Sequence, residues 1–335
     1  MTTPTVLTII LNWRSAQMTL GAAMAAAYAM EDLKGEILIV DNDSGDGSEE
    51  QLKQWIAEAD WKDICPVRVI QSGHNGGFGF GNNVGIKAGL SDGSRPDYVY
   101  ILNSDAFPEK GAICALVRHL ENHPEVGFAG SEIHGSEMDR QLTAFRFPTI
   151  FSEFEGAART GPISRLLSAY TVPIFGLEKT GPVEWIAGCS LLMRDKVLQQ
   201  VGLFDETYFL YFEETDLCAR VQRAGWGVDH VAESKVMHIG SQSTGMGSWK
   251  RIPDYWLDSR WYYFVKHHGR AYAIGATVAH VLGGLIWRLR RMVTGKAPID
   301  PPRFLSDLLR HALGHIAAPL PPSKVPAIPN DSVRS

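Results

Sequence analysis

The run FDETYFLYFEETDLCARVQRAGW, residues 204–226, sets Glu213, Glu214 and Asp216 directly behind Tyr208, Phe209, Tyr211 and Phe212. Acids crowded against aromatic rings are costly to keep ionised. In a concave site one of them could act as a general base that takes a proton from a hydroxyl nucleophile; the alternative is an acidic helix N-terminus favoured by the helix dipole. Two more acids follow apolar runs, Asp41 in IVDNDSGDGS and Asp105 in VYILNSDAFP. The carboxyl ends of parallel strands are where open α/β sheets hold ligands. There Asp41 could accept a hydrogen bond from a base or ribose, or simply belong to a hydrated turn. Asp105 could hold a hard divalent cation bridging to a diphosphate, or cap the next helix. His238, in VMHIGSQS, gains meaning only in company, as a second ligand for the ion at Asp105.

Residues 74–86, HNGGFGFGNNVGI, carry glycines at 76, 77, 79, 81 and 85 ahead of a helix-like run. Glycine this dense lets a backbone approach a ligand, or lets a helix pack tightly on a sheet. The spacing of Gly79, Gly81 and Gly85 is GxGxxxG, not GxGxxG, and no GKS/T follows, which counts against a dinucleotide oxidoreductase or a phosphate-loop enzyme. Cys65, Cys114, Cys189 and Cys218 form no CxxC pair, so zinc clips and dithiol exchange are not expected and a reducing compartment is.

These groups must be positioned by strands and crossovers. Apolar runs predict strands at 6–11, 36–40, 67–70 and 98–102. The Ala/Met-rich stretch 16–30 predicts a helix between the first two, and a second crossover runs from Ser48 to about Ala59. Alternation of this kind predicts parallel strands joined by helices. Residues 106–245 read as a mixed second half with long loops, notably 131–182. The opening run MTTPTVLTIILNW has no basic flank and reads as a buried strand rather than a secretory signal.

The chain has 335 residues and a net charge of −5, with 45% hydrophobic and 21% charged residues, which excludes disorder as its main state. From residue 246 onward 13 basic residues face 5 acidic ones, against 19 and 32 before it. The basic residues of that end are mixed with Leu, Ile and Trp, which suits an anionic membrane surface better than nucleic acid. Residues 271–287 are apolar apart from His280, too short to cross a bilayer squarely. Residues 303–316 place Phe304, Leu305, Leu308, Leu309, Ala312, Leu313 and Ile316 on one helical face. The Pro-rich end, 317–335, is expected to be a disordered tail.

Taken in order, ILNW, VDNDSGDGS, NGGFGFGNNVGI, ILNSDAFP, the block from WIAGCS to RAGW, and VMHIG resemble the family 2 glycosyltransferases, in particular their rhamnosyltransferase-like branch, over about residues 5–245. The resemblance implies a GT-A fold: an α/β domain with a mostly parallel central sheet flanked by helices, here with a helical C-terminal extension. It also implies a nucleotide-diphosphate sugar donor, a divalent metal (Mg2+ or Mn2+) and inversion at the anomeric carbon. By motif position the donor would be met by Asn12, Asp41, Asn75, Gly76, Asn82, Asn103 and Asp105. Asp105 and His238 would hold the metal. Glu214 would be the base, with Glu213 as competitor, because Glu stands where the family commonly has Asp. Asn103 replaces the first acid of the DxD motif, which puts more weight on Asp105. Trp185, Gly188 and Asp216 would line the acceptor pocket.

The expected organisation is a donor half at 1–105, an acceptor half at 106–245, a basic helical extension at 246–316 and the tail. The expected acceptor is a glycan or lipid-linked molecule of cell-surface polysaccharide assembly, and the expected place is the cytoplasm, with 255–316 against the inner membrane face. RWYYFVKHHG, residues 260–269, also recurs in this branch. The competing readings are a helical subdomain or homo-oligomer interface for the extension, and a non-catalytic nucleotide-sugar scaffold for the whole.

Overall fold

The computed structural model describes residues 3–58, 61, 65–240 and 249–328. The expected end of the second crossover at Ala59 and the last residues of the tail, 329–335, lie outside these. The chain opens with β1 (Thr5–Asn12), α1 (Ala16–Ala29), β2 (Lys34–Asp41), α2 (Ser48–Glu58), β3 (Val67–Gln71), α3 (Phe78–Ala88) and β4 (Tyr98–Asn103). Strands β2, β1 and β4 are parallel neighbours, with β3 outside β2. In β1 the pleat sends Val6 and Ile10 into the apolar layer under α1 and α4, and Leu7 and Ile9 into the layer under α3 and α8. Both faces are covered, so the strand reads as a nearly continuous apolar run. Helix α1 buries Ala22, Ala23, Ala26 and Ala27; small side chains let it lie close on the sheet.

The second half contains β5 (Ala106–Pro108), α4 (Ala112–Asn122), β6 (Val126–His134), β7 (Ala144–Phe145), α5 (Ile150–Ala158), α6 (Gly161–Leu166), β8 (Gly181–Pro182), β9 (Trp185–Ile186), β10 (Ser190–Arg194), α7 (Asp195–Val201), α8 (Glu213–Arg223) and β11 (Gly227–His238). The main sheet runs β3-β2-β1-β4-β10-β6-β11-β5, with β8 paired to β11 and a separate β7-β9 ribbon. Among the described residues, β10, β5 and β8 enter it antiparallel. Strand order reverses between β2 and β4, on either side of β1, which opens a crevice at the carboxyl ends of these strands.

Three helices close the described chain: α9 (Asp254–His268), α10 (Arg270–Thr294) and α11 (Phe304–His315). Helix α5 lies inside the stretch that its Gly, Pro and Ser content had marked as loop, and it packs on α10. A Cβ at Gly283 would stand 2.5 Å from the Phe154 carbonyl oxygen, so glycine there permits the close crossing. His280, the single polar interruption of the apolar run, lies 2.7 Å from Glu153, which also receives buried Arg260 at 2.8 Å. Burial pushes the Glu153 carboxyl up, but Arg260 and His280 more than offset this and hold it at about 2.

The tail departs from its expected looseness. The Lys324 amide donates to Asp205 at 2.9 Å and the Ser323 hydroxyl to the same carboxylate at 2.6 Å. Residue 326 accepts from the Leu203 amide, and Ile328 is buried. Residues 323–328 are held here by hydrogen bonds to a buried acid and by the burial of Ile328.

Candidate active site

At the crevice β1, β2 and β4 end in register, with Asn12 opposite Asp41 and Leu11 opposite Asn103. Asn12 is fully buried. Its amide donates to Asp41 at 2.6 Å, and its oxygen accepts from the Thr19 hydroxyl at 2.6 Å. Asp41 also accepts from the Ser44 hydroxyl and amide and from Gln71. With four donors around it and 1% exposure, Asp41 organises the loop at the end of β2.

Asn75 accepts from the Asn42 amide and the Gly77 backbone, tying the glycine loop to the end of β2. Gly77 has φ 91°, and a Cβ there would stand 1.8 Å from the Phe209 carbonyl oxygen. The Phe78 amide donates to that same oxygen at 3.0 Å. Gly76 lies under the Phe80 ring, and Gly81 and Gly85 meet Leu11 and Ile9, so these glycines permit close packing of the loop and of α3 on the sheet. Asn82 is fully buried and leaves its side-chain oxygen without a partner among the described residues.

The turn that delivers the acids is strained. Tyr211 and Phe212 are consecutive left-handed residues, φ 68° and 69°, neither of them glycine. Such a conformation costs on the order of 1–3 kcal/mol per residue and persists only when the surroundings over-determine it. Here the Ser259 hydroxyl donates to the Leu210 carbonyl at 3.0 Å, Tyr255 packs on Phe209 and Tyr211, and Trp256 and Tyr263 pack on Phe212. Helix α9 is therefore the brace of the turn.

The turn sends Glu213 and Glu214 into α8 with one carboxylate oxygen each buried and unpartnered among the described residues. Burial raises the Glu213 carboxyl well above its ordinary range, and the charge of Glu214 adds to this. Burial raises Glu214 too, partly countered by the backbone amides of Glu214 and Gly188. Glu213 is only 2% exposed, whereas Glu214 is half-buried. Asp216 does not join them. It is fully buried and receives Lys266 at 2.6 Å, His267 at 2.7 Å and Arg220 at 2.9 Å. Burial would push its carboxyl up, but His267, Arg220 and Lys266 hold it at about 2. The expected pocket residue is thus an anchor, because Arg220 of α8 and Lys266 and His267 of α9 enclose it.

Asp105 and His238 meet as expected. Strand β11 runs antiparallel to β5 with His238 opposite Ala106, and His238 Nε2 lies 3.1 Å from Asp105 Oδ1. A carboxylate and an imidazole supply two donors, and an ion bound by so few protein groups completes its shell with phosphate oxygens and water. The donor set fits a divalent cation. The WIAGCS loop joins the two acidic centres. The Asn103 amide donates to the Cys189 carbonyl at 3.0 Å. A Cβ at Gly188 would stand 3.9 Å from Glu214 Cβ and 3.1 Å from the Phe78 ring. The Cys189 thiol is pushed up to about 12 by burial, and the charges of Asp105 and Glu214 both add to that. Trp185 stacks on Phe145 at 4.2 Å and donates to the Arg146 carbonyl, half-buried beside this loop. The open hollow lined by Arg95, Tyr98, Glu121 and Asp195 lies at the other end of β4 and holds none of these groups.

Sequence reasoning missed the left-handed pair Tyr211–Phe212 and the buried partners Asp205, Lys266 and His267. The recurring RWYYFVKHHG segment was a signal for the latter: it supplies Lys266 and His267 to Asp216, and Lys266 also reaches Asp205 at 2.8 Å.

The doubly covered, mostly parallel sheet with its crevice at the carboxyl ends of β1, β2 and β4 is a GT-A fold, that of nucleotide-sugar glycosyltransferases. Residues 8–173 match the model of glycosyl transferase family 2. The N-acetylglucosaminyl-diphospho-decaprenol L-rhamnosyltransferase of Mycobacterium tuberculosis is 30% identical over 220 residues, covering 62% of this chain and 68% of that protein. The rhamnosyltransferase WbbL of Escherichia coli is 26% identical over 167 residues, 48% of this chain and 60% of that one. Among solved structures, the Pyrobaculum calidifontis mannosyltransferase PcManGT in complex with GDP-Man and Mn2+ superposes with a TM-score of 0.54 at 13% identity, covering 93% of this chain and 80% of that one. Staphylococcus aureus TarS 1–349 with UDP-GlcNAc gives 0.55 at 12% identity, with 95% and 82% covered; at these identities the likeness speaks for the fold. The chain belongs to glycosyl transferase family 2, in its rhamnosyltransferase-like branch.

Proposed function

We propose that this glycosyltransferase moves a sugar, with L-rhamnose the first candidate, from a nucleoside-diphosphate donor to a hydroxyl of a lipid-linked glycan, by a single inverting displacement. The observation that carries the reading is the convergence of Asp105, His238 and Glu214 around the Gly188–Cys189 backbone. The choice of sugar and acceptor is supported by the relative that is a decaprenol-linked rhamnosyltransferase.

In this reading Asp105 and His238 hold a divalent cation, with Mn2+ suited better than Mg2+ by the imidazole donor. When bound, the ion offsets negative charge on the diphosphate oxygens. Asn12, Asp41 and Asn75 shape the donor edge, Asn103 sits at its strand end, and Gly76 and Asn82 belong to the loop and helix that flank it. Glu214 is the base, because residue 214 is half-buried where residue 213 is almost wholly enclosed, and it stands against Gly188 of the WIAGCS loop. It accepts the hydroxyl proton as the oxygen bonds to C1, and the C1–O bond to the diphosphate breaks with its electron pair leaving on the diphosphate. Trp185 and Gly188 border the acceptor side. Residues 1–105 form the donor half and 106–245 the acceptor half.

The extension holds the enzyme to the inner membrane face. Val278, Leu282, Leu285, Leu289 and Met292 are exposed at intervals of three and four along α10, as are Leu309, Leu313 and Ile316 on α11. Arg288, Lys296 and Arg310 stand exposed among them. Helix α10 is long and apolar enough to cross a membrane, with a mean hydropathy of 1.2, but 39% of its most apolar stretch is buried against the protein. A helix packed on one side and apolar on the other suits a position in the interface.

The test is purified protein with Mn2+ or Mg2+, dTDP-, UDP- and GDP-sugars and extracted glycolipid. One donor is expected to support transfer, and Glu214→Gln to lower turnover by about a hundredfold or more while donor binding persists. Full turnover in that variant removes Glu214 from the base role, and absence of donor binding with every nucleotide sugar defeats the reading.

A further inference from the structure

A second set of metal-ligating side chains lies away from the crevice, where α9 and α11 cross. Asp258 of α9 faces His311 of α11, with Oδ1 2.6 Å from Nε2. One helical turn on, His315 stacks on His311 with ring centroids 4.0 Å apart. One ligand atom from each of the three lies within 4.8 Å of the others. Two histidines at i and i+4 present their rings on one helix face, the spacing that lets a helix offer two nitrogens to one ion.

The surroundings prepare these donors. His315 Nδ1 lies 2.8 Å from the His311 carbonyl oxygen. A ring that donates its Nδ1–H to the backbone keeps the lone pair on Nε2 for a metal. The His311 side chain is 10% exposed and that of Asp258 60%, so the cluster has a fixed inner wall and an open outer side where water can complete a shell.

We propose that Asp258, His311 and His315 form a site for a borderline transition-metal cation, Zn2+ above all, which clips α11 to α9. Two imidazoles and one carboxylate suit Zn2+ and not Mg2+, whose shell is made of oxygen. On binding, the ion takes the place of the hydrogen between His311 and Asp258, and the neutral His311 ring carries its proton on Nδ1 instead of Nε2. The site is separate from the Asp105–His238 pair and does not depend on the assignment of that pair. Its position has a consequence for the catalytic turn: Ser259, next to Asp258, bonds the Leu210 carbonyl. A clip here would fix the helix that braces Tyr211 and Phe212.

The experiment uses untagged full-length protein stripped by chelator and titrated with ZnCl2 in excess Mg2+, read by calorimetry and by thermal melting. One equivalent of Zn2+ should bind and raise the Tm, and Co2+ in its place should give the visible absorption of a low-coordinate site. Asp258→Asn, at an exposed position, and His315→Gln, at a half-buried one, should each weaken binding by at least about tenfold, as even outer-shell losses do. Asp105→Asn should leave it intact. Absence of stoichiometric binding, binding unchanged in both variants, or binding abolished by Asp105→Asn would each overturn the proposal.

Discussion

Glu213 and Asp216 are three residues apart on one helix and are driven in opposite directions by their surroundings. Asp216 is buried with two cations, Arg220 and Lys266, and the His267 ring bonded to it, and its carboxyl is held low. Glu213 is buried with no cationic partner among the described residues, and its carboxyl is held high. For Glu213 the linkage runs as follows: below the ordinary value of 4.5 both folded and unfolded chains carry the proton. Above it the unfolded chain ionises while the folded chain must keep the proton or bury a charge, so the native state loses stability as pH rises. Glu213→Gln should therefore stabilise the fold at neutral pH by on the order of 1 kcal/mol or more, seen as a higher Tm, with the gain shrinking toward about pH 4. Melting curves across that range check it; a lower Tm at neutral pH, or a gain that ignores pH, would show that the acid is paired in solution.

The turn from Tyr208 to Phe212 holds its shape through contacts on two sides, the Gly77–Phe78 backbone and helix α9. Its own sequence contains no glycine to ease the two left-handed residues, so the strain must be offset by packing. Gly77→Ala tests this coupling. The new Cβ would need both a left-handed backbone and the space of the Phe209 carbonyl. The expected cost is more than about 2 kcal/mol in stability, with turnover falling further than donor binding because the displaced turn carries Glu214. Wild-type stability and turnover in Gly77→Ala would mean that the turn does not rely on this contact.

Over the whole molecule the charge and the apolar surface are distributed unequally. The basic extension packs on the catalytic domain through Asp205, Asp216 and Glu153, and leaves apolar stripes on α10 and α11 facing outward. Leu282→Glu combined with Leu289→Glu should reduce binding to vesicles rich in anionic lipid by about tenfold or more, since each buried CH2 is worth about 0.8 kcal/mol. Donor binding in solution should be unchanged. Sedimentation with vesicles measures the first and thermal shift the second; undiminished sedimentation would assign those stripes to another contact, such as a second copy of the chain.

Strands, crossovers and the neighbourhood of Asp105 with His238 were legible in the sequence, because burial on both sheet faces writes apolar runs and parallel strands bring their carboxyl ends to one edge. The α11 helix was equally plain from its apolar spacing. The roles within the acidic run were not. Glu213, Glu214 and Asp216 are alike as a string, and what separates them is whether Lys266 and His267, some fifty residues later, arrive beside each one. A carboxylate's chemistry depends on the charges and water within a few ångströms of it, and that distance is set by packing between segments remote in the chain. The tertiary structure alone therefore decided which acids are anchored, which are left unpaired at the crevice, and that a proline-rich tail is ordered on Asp205.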